Sequence, residues 1–270
     1  PVGMNFLVVA YGYSAGDVLA DSTLPIENVD AKINSTALAY VRVMDFFGRS
    51  GKVSLLLPCA WGKASADIDG QFMSIGRSGL SDPRMKFSLN LFGAPALKLP
   101  DFPKYRQKTI LGVSLQITAP LGQYDPNLLI NLGTNRWSFK PELGISRDLG
   151  KWTLEFYGSA AFFTANREYL RTSTLKQNSI YAAQGHVAYT FRRGLWASFD
   201  AIYYFGGRTT VDGVKRNDLM SNWRYGFTFS MPLAKQHSLK ILASSGLVTR
   251  VGSDFSSIGI AYQYVWGGSP

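Results

Sequence analysis

The sequence predicts an all-β fold: a transmembrane, up-and-down, antiparallel β-barrel of twelve strands. Three observations predict it. The first is strict alternation in single segments. In residues 152–164 (WTLEFYGSAAFFT), Trp152, Leu154, Phe156, Gly158, Ala160 and Phe162 share one parity, while Thr153, Glu155, Tyr157 and Ser159 share the other. Successive side chains of a strand point to opposite faces, so this segment has one greasy side and one polar side. The second is that the pattern recurs along the whole chain with almost no helical periodicity between its copies. The third is that short and long connections alternate, as they do when a barrel has turns at one end and loops at the other.

The expected strands run over residues 5–14, 34–46, 52–64, 72–92 (long enough to require a bend), 107–119, 136–148, 151–164, 179–192, 195–206, 222–231, 238–249 and 256–266. An even number returns both termini to the same end. Short turns fall at 48–51, 148–150, 193–194 and 234–237, and longer polar links at 15–33, 120–135, 165–178 and 207–221. Two connections depart from the rule. Residues 67–71 are short where a long loop is due, and 93–106 (GAPALKLPDFPKYR) are long and proline-rich where a turn is due, which fits a plug or a cap at the turn end.

Parity assigns faces to most strands. Thr109, Leu111, Val113, Leu115 and Ile117 point out, as do Leu195, Ala197, Phe199, Ala201 and Tyr203, and Tyr225, Phe227 and Phe229. The first two strands stay ambiguous, with Tyr40, Arg42 and Met44 on one side and apolar residues on both. Five of the six tryptophans (Trp61, Trp137, Trp152, Trp223 and Trp266) take the outward parity near strand ends. Amphipathic rings form interfacial girdles there, whereas a soluble sandwich hides its large aromatics mid-strand.

The bulk numbers agree with one domain over residues 1–270. No linker or change in composition divides the 270 residues, and residues 267–270 read as a short appended tail. The mean hydropathy of −0.01 is what alternation produces. No apolar run approaches the ~18 residues of a helical span. The opening PVGMNFLVVAYGY reads as a strand rather than a signal peptide, so the chain is expected to be in its mature form. Cys59 is alone, which excludes an intramolecular disulfide and a thiolate metal cluster; its neighbours suggest a buried thiol. The net charge is +10, yet the cations are scattered near turns and form no basic helix or run. Anionic headgroups or an anion-attracting lumen account for that spread better than nucleic acid does.

The stretches PVG (1–3), GLSDPRMKFSLNLFGAPAL (79–97), TAPLGQYDP (118–126), NLGTNRWSFKPELGISRDLGKWTLEFYGSAAFFTAN (131–166), GHVAYTF (185–191), GGRTTVDG (206–213) and SLKILASSGLVTRVGSDF (238–255) carry a likeness that spans nearly the whole chain. The chain resembles the MetA-pathway phenol-degradation family of outer-membrane channel proteins. The resemblance implies a Gram-negative outer-membrane barrel passing small organic molecules; it brings no binding motif and no established substrate.

The candidate pore lining is the inward polar set: Lys140, Glu142, Glu155, Tyr157, His186, Arg192, Asp200, Tyr204 and Arg224. These side chains either order a permeating solute at a constriction or form a salt-bridge network that stiffens a small barrel; both readings stay open. Pro58 and Pro141 lie inside spanning strands, where a proline cannot donate to the ladder. A strand break or lateral opening at one of them is one reading, and a harmless place near the end of a strand is the other for Pro141. Residues 1–4 are placed to tuck into the lumen.

Enzymatic readings are weak, and no catalytic residue is assigned. A lipase in a barrel wall needs a histidine facing lipid, but His186 has inward parity and His237 lies in a turn. Glu142 and Glu155 have the chemistry for acid–base work but no evident cleft. Asp67, Ile68, Asp69 and Gly70 lack the later glutamate of a calcium loop, and no helix follows Gly206 and Gly207 to cradle a phosphate. The expectation is a passive, narrow channel in the bacterial outer membrane for small, apolar or aromatic molecules, without metal or cofactor. A lipid-modifying outer-membrane enzyme and a structural barrel without permeation are the rivals. The implied partners are the lipid bilayer and lipopolysaccharide, a small organic permeant and the barrel-insertion machinery; the barrel is expected to be a monomer.

Overall fold

The structure, a computed structural model, describes residues 1–16, 30–68, 71–128, 130–250 and 254–268. The turn of 69–70, most of the first long link and residues 269–270 of the expected tail lie outside the described residues, as do Asp69 and Gly70 of the calcium-like stretch.

Alternating segments become strands because each can bond to a neighbour on both edges. In chain order these are β1 (Met4–Gly16), β2 (Asp30–Phe46), β3 (Arg49–Ile68), β4 (Gln71–Leu80), β5 (Arg84–Phe92), β6 (Thr109–Thr118), β7 (Ser138–Leu149), β8 (Trp152–Phe163), β9 (Asn166–Tyr169), β10 (Ser173–Gln177), β11 (Ile180–Arg192), β12 (Leu195–Gly206), β13 (Thr209–Val211), β14 (Val214–Lys215), β15 (Met220–Ala234), β16 (His237–Val248) and β17 (Phe255–Gly267). The wall is wholly antiparallel. It closes where β1 pairs β17 from Met4 opposite Gly267 to Gly16 opposite Phe255. β4 and β5 are two halves of one stave, both paired to β3, so the barrel has the twelve staves the sequence predicts.

The expected bend in residues 72–92 is a complete interruption. At Ser81, Asp82 and Pro83 the chain leaves the ladder, opposite Leu57 and Pro58 of β3. The backbone groups at the gap find other partners. Ser81 N–H donates to the Pro58 carbonyl at 2.9 Å, and the Leu80 and Pro83 carbonyls accept from Gln123 and Ala119 at 2.9 and 3.0 Å. Asp82 is buried, and its carboxylate accepts from Gly122 N–H (2.9 Å), Thr134 N–H (2.9 Å) and the Thr134 hydroxyl (2.8 Å). Residues 120–135 therefore form a splice over the break. Gly122 and Gly133 are required there, since a Cβ on Gly122 would stand 2.7 Å from Asp82 N and one on Gly133 2.8 Å from Gly122 C.

The register resolves the ambiguous first strands. Val9 and Tyr11 point out, while Phe6, Val8, Ala10 and Gly12 point in. Tyr40, opposite Leu7, shares the outer face with Arg42 and Met44. Cys59 lies opposite Thr36 on that outer face and is half-exposed, which corrects the expectation of a buried thiol. The outer surface carries Phe156 (56 % exposed), Phe199 (54 %) and Ile258 (60 %), a degree of apolar exposure that only a hydrocarbon surrounding makes favourable.

The two ends differ. At the turn end, the 93–108 connection straps the β2–β3 turn: Ala94 accepts from Ser50 N–H and Ala96 N–H donates to Gly48. Val2 N–H bonds Leu97, and Gly3 N–H bonds Val43, so the first residues lie against this strap. At the loop end, two long links that sequence reads as polar coil build a second, four-stranded sheet in the order β14-β13-β10-β9. Tyr169 and Leu175 form its buried centre, packed against Ile130 and Val211.

Replacing Asp82 with alanine removes three hydrogen bonds from a charged acceptor, each worth about 1.5–3 kcal/mol before compensation by water. The splice is expected to detach, so that limited proteolysis cuts within 120–135 in D82A and leaves the parent chain intact there. Equal resistance of the two proteins would show that other contacts hold this loop.

Candidate functional site

The lumen follows from parity and register, because residues directly opposite in adjacent strands share a face. Across β5 to β12 the inward positions run Lys86, Gln116, Lys140 in one row and Ser88, Ser114, Glu142, Ser159 in the next. Toward the turns lie Gly144 opposite Tyr157, Ser146 opposite Glu155, Glu155 opposite His186, and His186 opposite Asp200.

Six of the expected pore residues form a continuous polar band along this wall. Lys86 Nζ lies 2.8 Å from Glu142 Oε1, Lys140 Nζ lies 3.9 Å from Oε2, and the Ser114 hydroxyl donates to the same carboxylate at 3.1 Å. Tyr157 donates to Glu155 at 2.8 Å and Ser146 donates to its other oxygen at 3.0 Å. His186 contacts Asp200 through Nδ1 and Gln184 through Nε2, and the ring of Tyr157 meets it edge-on at 5.5 Å. The carboxylates are thus held by neighbours on their own wall.

Gly144 makes the Tyr157 position possible. The tyrosine ring lies flat over the glycine: a Cβ there would come within 2.2 Å of Tyr157 Cδ1. An aromatic covering a cross-strand glycine supplies the packing that the missing side chain leaves open.

The other expected residues lie elsewhere. Arg224 points inward from β15, its guanidinium 3.8 Å over the Phe255 ring and 3.4 Å from the Ser244 hydroxyl. Tyr204 is inward on β12, opposite Asn222. Arg192 is not in the lumen band: a bulge between Thr190 and Arg192 sets it opposite the outward Leu195, in the exposed turn. One extra residue in a strand reverses the parity beyond it, which is the physical reason a straight count misplaces Arg192.

Pro58 points into the lumen opposite Ala37, at the level of the interrupted stave. Pro141 points outward, and the β7–β8 ladder skips there from Phe139 opposite Phe162 to Glu142 opposite Ser159. The tryptophans lie toward the two ends of the wall. Trp152 touches Tyr189 at 4.8 Å and Trp266 stacks on Tyr264 at 5.3 Å at the turn end; Trp61 with Tyr11, Trp223 with Tyr203, and Trp137 lie toward the loops.

Sequence reasoning missed Lys52, Arg84, Lys86 and Lys240, which also face inward. The signal was available in β5, where Arg84, Lys86, Ser88 and Asn90 alternate with Met85, Phe87, Leu89 and Leu91. Two cavities lie between the walls. One of about 240 Å³ is lined by Lys52, Lys86, Asn90, Glu142 and Tyr157; another of about 460 Å³ is lined by Ala10, Gly12, Ala37, Pro58, Asp200, Gly226, Leu242 and Gly259. Outside the spanning strands, the Asp212 carboxyl is held below the usual range by the Thr174 N–H, and Asp125 likewise by Asn127. The first bond ties two loop segments together, and the second closes a local turn.

The family described as "Putative MetA-pathway of phenol degradation" matches residues 12–264. Among solved structures, the COG4313 outer membrane channel from Pseudomonas putida F1 is similar at a TM-score of 0.81 and 22% identity, over 98% of this chain and 96% of that one. The NanC porin (TM-score 0.53, 11% identity, 96% and 98% covered) and the β domain of the Bordetella autotransporter BrkA (0.53, 10%, 98% and 100%) share the barrel fold more loosely. No curated protein matches the chain.

Gly144→Ala is expected to lift the Tyr157 ring off the wall and destabilise the barrel by about 1–3 kcal/mol, the usual range for overpacking. Urea unfolding in detergent micelles, followed by tryptophan fluorescence, measures it. An unchanged midpoint would mean that the ring moves aside freely.

Proposed function

We propose that this chain, which belongs to the MetA-pathway phenol-degradation family, is an outer-membrane channel for passive diffusion of small, apolar or aromatic molecules. The observation that carries the reading is the closed twelve-stave wall with opposite chemistry on its two surfaces: an apolar exterior ending in aromatic residues, and an interior holding fixed charges and open cavities. A closed barrel satisfies every ladder bond without water, so it can cross hydrocarbon. Selection then comes from lumen width and from the charges facing it.

Several features support the location and partners. The exterior fits a bilayer, and the basic residues scattered at the ends fit anionic headgroups, those of lipopolysaccharide included. The last strand presents Ile258, Ile260, Tyr262, Tyr264 and Trp266 on one face, the form of client the barrel-insertion machinery handles. An enzymatic role on lipid gains nothing from the histidines. Both ring nitrogens of His186 are engaged by Asp200 and Gln184 inside the barrel, and His237 bonds the Tyr262 hydroxyl.

The interrupted stave adds a route through the wall. β4 pairs only with β3, and its other edge is covered by the splice of 120–135 rather than by a strand. Pro58 faces the lumen at the same level, so an apolar solute displacing the splice would pass between lumen and lipid there.

Planar-bilayer recordings of the reconstituted chain are expected to show discrete conductance steps. Exchanging Glu142 and Asp200 for their amides (E142Q and D200N) should shift the ion preference further toward anions; a silent bilayer, or an unmoved preference, counts against the channel or against these lining residues respectively. Pro58→Val should slow the uptake of an apolar solute into liposomes more than that of a polar one of equal size, and equal rates for both would remove the lateral route.

A further inference from the structure

The inward charges do not balance. Among the described strand residues, Lys52, Arg77, Arg84, Lys86, Lys140 and Lys240 take the inward register against Glu142, Glu155 and Asp200. Asp45 and Asp148 cap the turns at the end of the wall, and Arg224 is engaged by its own neighbours. Glu155 and Asp200 are held by Tyr157, Ser146 and His186. The excess gathers in one place. Lys86 and Lys140 flank Gln116 in a single row, and Arg84 stands one inward step toward the loops, opposite Thr118 of β6 and Leu56 of β3. The one carboxylate within reach, Glu142, is already shared by the two lysines and Ser114. Arg84 is exposed to the lumen and takes part in no described ion pair or side-chain hydrogen bond.

The opposite chemistry begins next to it. The next inward residue after Leu56 on β3 is Pro58, which borders the 460 Å³ cavity. Ala10, Gly12, Ala37, Leu242 and Gly259 wall it together with hydroxyls such as Ser35 and Ser244, and Asp200 of β12, bonded to His186, stands at the end away from Pro58. That volume lies in the range of ligand pockets, about 300–1,000 Å³. A free guanidinium one inward step from the Pro58 end of this cavity, where the wall is of small side chains, matches a ligand with one anionic head and one hydrocarbon body. Arginine's planar fork pairs with both oxygens of a carboxylate, and its hydration is weaker than that of an ammonium ion, so less is lost when the partner arrives. A neutral hydrocarbon would leave this charge without a counterpart.

We propose that the lumen holds a binding site for small amphipathic carboxylates of benzoate size, with the carboxylate at Arg84, backed by Lys86 and Lys140, and the ring against the small-residue wall near Pro58. The site rests on the channel reading for its role but not for its occupancy. It makes the preferred permeant an organic acid rather than a neutral hydrocarbon. It also makes the conducting pore prefer anions, because fixed positive charge in a narrow lumen concentrates them.

Two measurements test it, on barrels whose folding is checked by the mobility difference between heated and unheated samples. In detergent micelles the 19F line of 4-fluorobenzoate should broaden with the parent chain at millimolar concentration, and that of 4-fluorobenzyl alcohol should not. Arg84→Gln breaks no described ion pair; it should weaken the apparent affinity about tenfold, the scale of a lost charged hydrogen bond, and Arg84→Lys should restore part of it. In bilayers the parent channel should prefer chloride over potassium, with R84Q moving the preference toward parity. Equal broadening by the alcohol, or unchanged broadening in R84Q, overturns the site. A conducting pore that prefers potassium overturns it too. A silent bilayer with intact, Arg84-dependent broadening sinks the channel reading alone and upholds the site.

Discussion

A strand that faces hydrocarbon can bond only to its neighbours, and the rest of this structure depends on meeting that demand. An unpaired peptide group in the hydrocarbon region costs several kcal/mol, and no water is at hand to reduce it. Closure of β1 onto β17 joins the first and last strands of the wall and leaves β4, which pairs only with β3, as the place where an edge persists. The interrupted stave is the place where the demand is hardest to meet, and each exposed group there has its own solution. The Pro58 carbonyl takes Ser81 N–H, Leu80 and Pro83 take Gln123 and Ala119, and Pro83 has no N–H to place. The splice of 120–135 is therefore part of the wall, although it is not a strand. Asp82 fixes it with acceptor bonds to two backbone amides and one hydroxyl.

The same constraint divides the chemistry of the lumen. Because the wall is one residue thick, every inward side chain has an outward neighbour that belongs to the apolar exterior, and a charge can shift only by its own length. Each acidic group consequently finds its partners within the wall itself: Glu142 on β5, β6 and its own β7, Glu155 on β7 and its own β8, Asp200 on β11 and its own β12. Those short-range bonds tie the inward side chains to one another. The same bonds take the carboxylates out of play as counter-ions elsewhere, and so expose the surplus of Arg84.

The architecture was legible because an alternation of period two, repeated between water and hydrocarbon, admits one reading of faces. All twelve staves fall within a few residues of their expected bounds. What escaped were features that alternation does not encode. The Ser81–Asp82–Pro83 break was hidden because the apolar rhythm resumes at Met85 as though uninterrupted. The bulge ahead of Arg192 reversed its face without a glycine to mark it. The four-stranded sheet at the loop end pairs β10 with β13, more than thirty residues away, so neither segment shows a partner in its own sequence. Lys86 and Arg84 went unread for the first of these reasons, since the face of β5 depends on where the break falls.

The position of the surplus charge gives it a meaning that net charge alone does not have. A +10 chain with its cations spread over the turns would attract anions to either mouth without choosing among them. Arg84 is placed differently: it lies within the wall, one step from the break and beside the small-residue cavity. The break frees that corner of the lumen from the regular succession of side chains, because the stave resumes in β4 only beyond Ser81, Asp82 and Pro83. Arg84 is the first residue of the restarted strand, exposed to the lumen and one inward step from Pro58, which borders the 460 Å³ cavity. The interruption that complicates the wall thus also sets where Arg84 stands in the lumen.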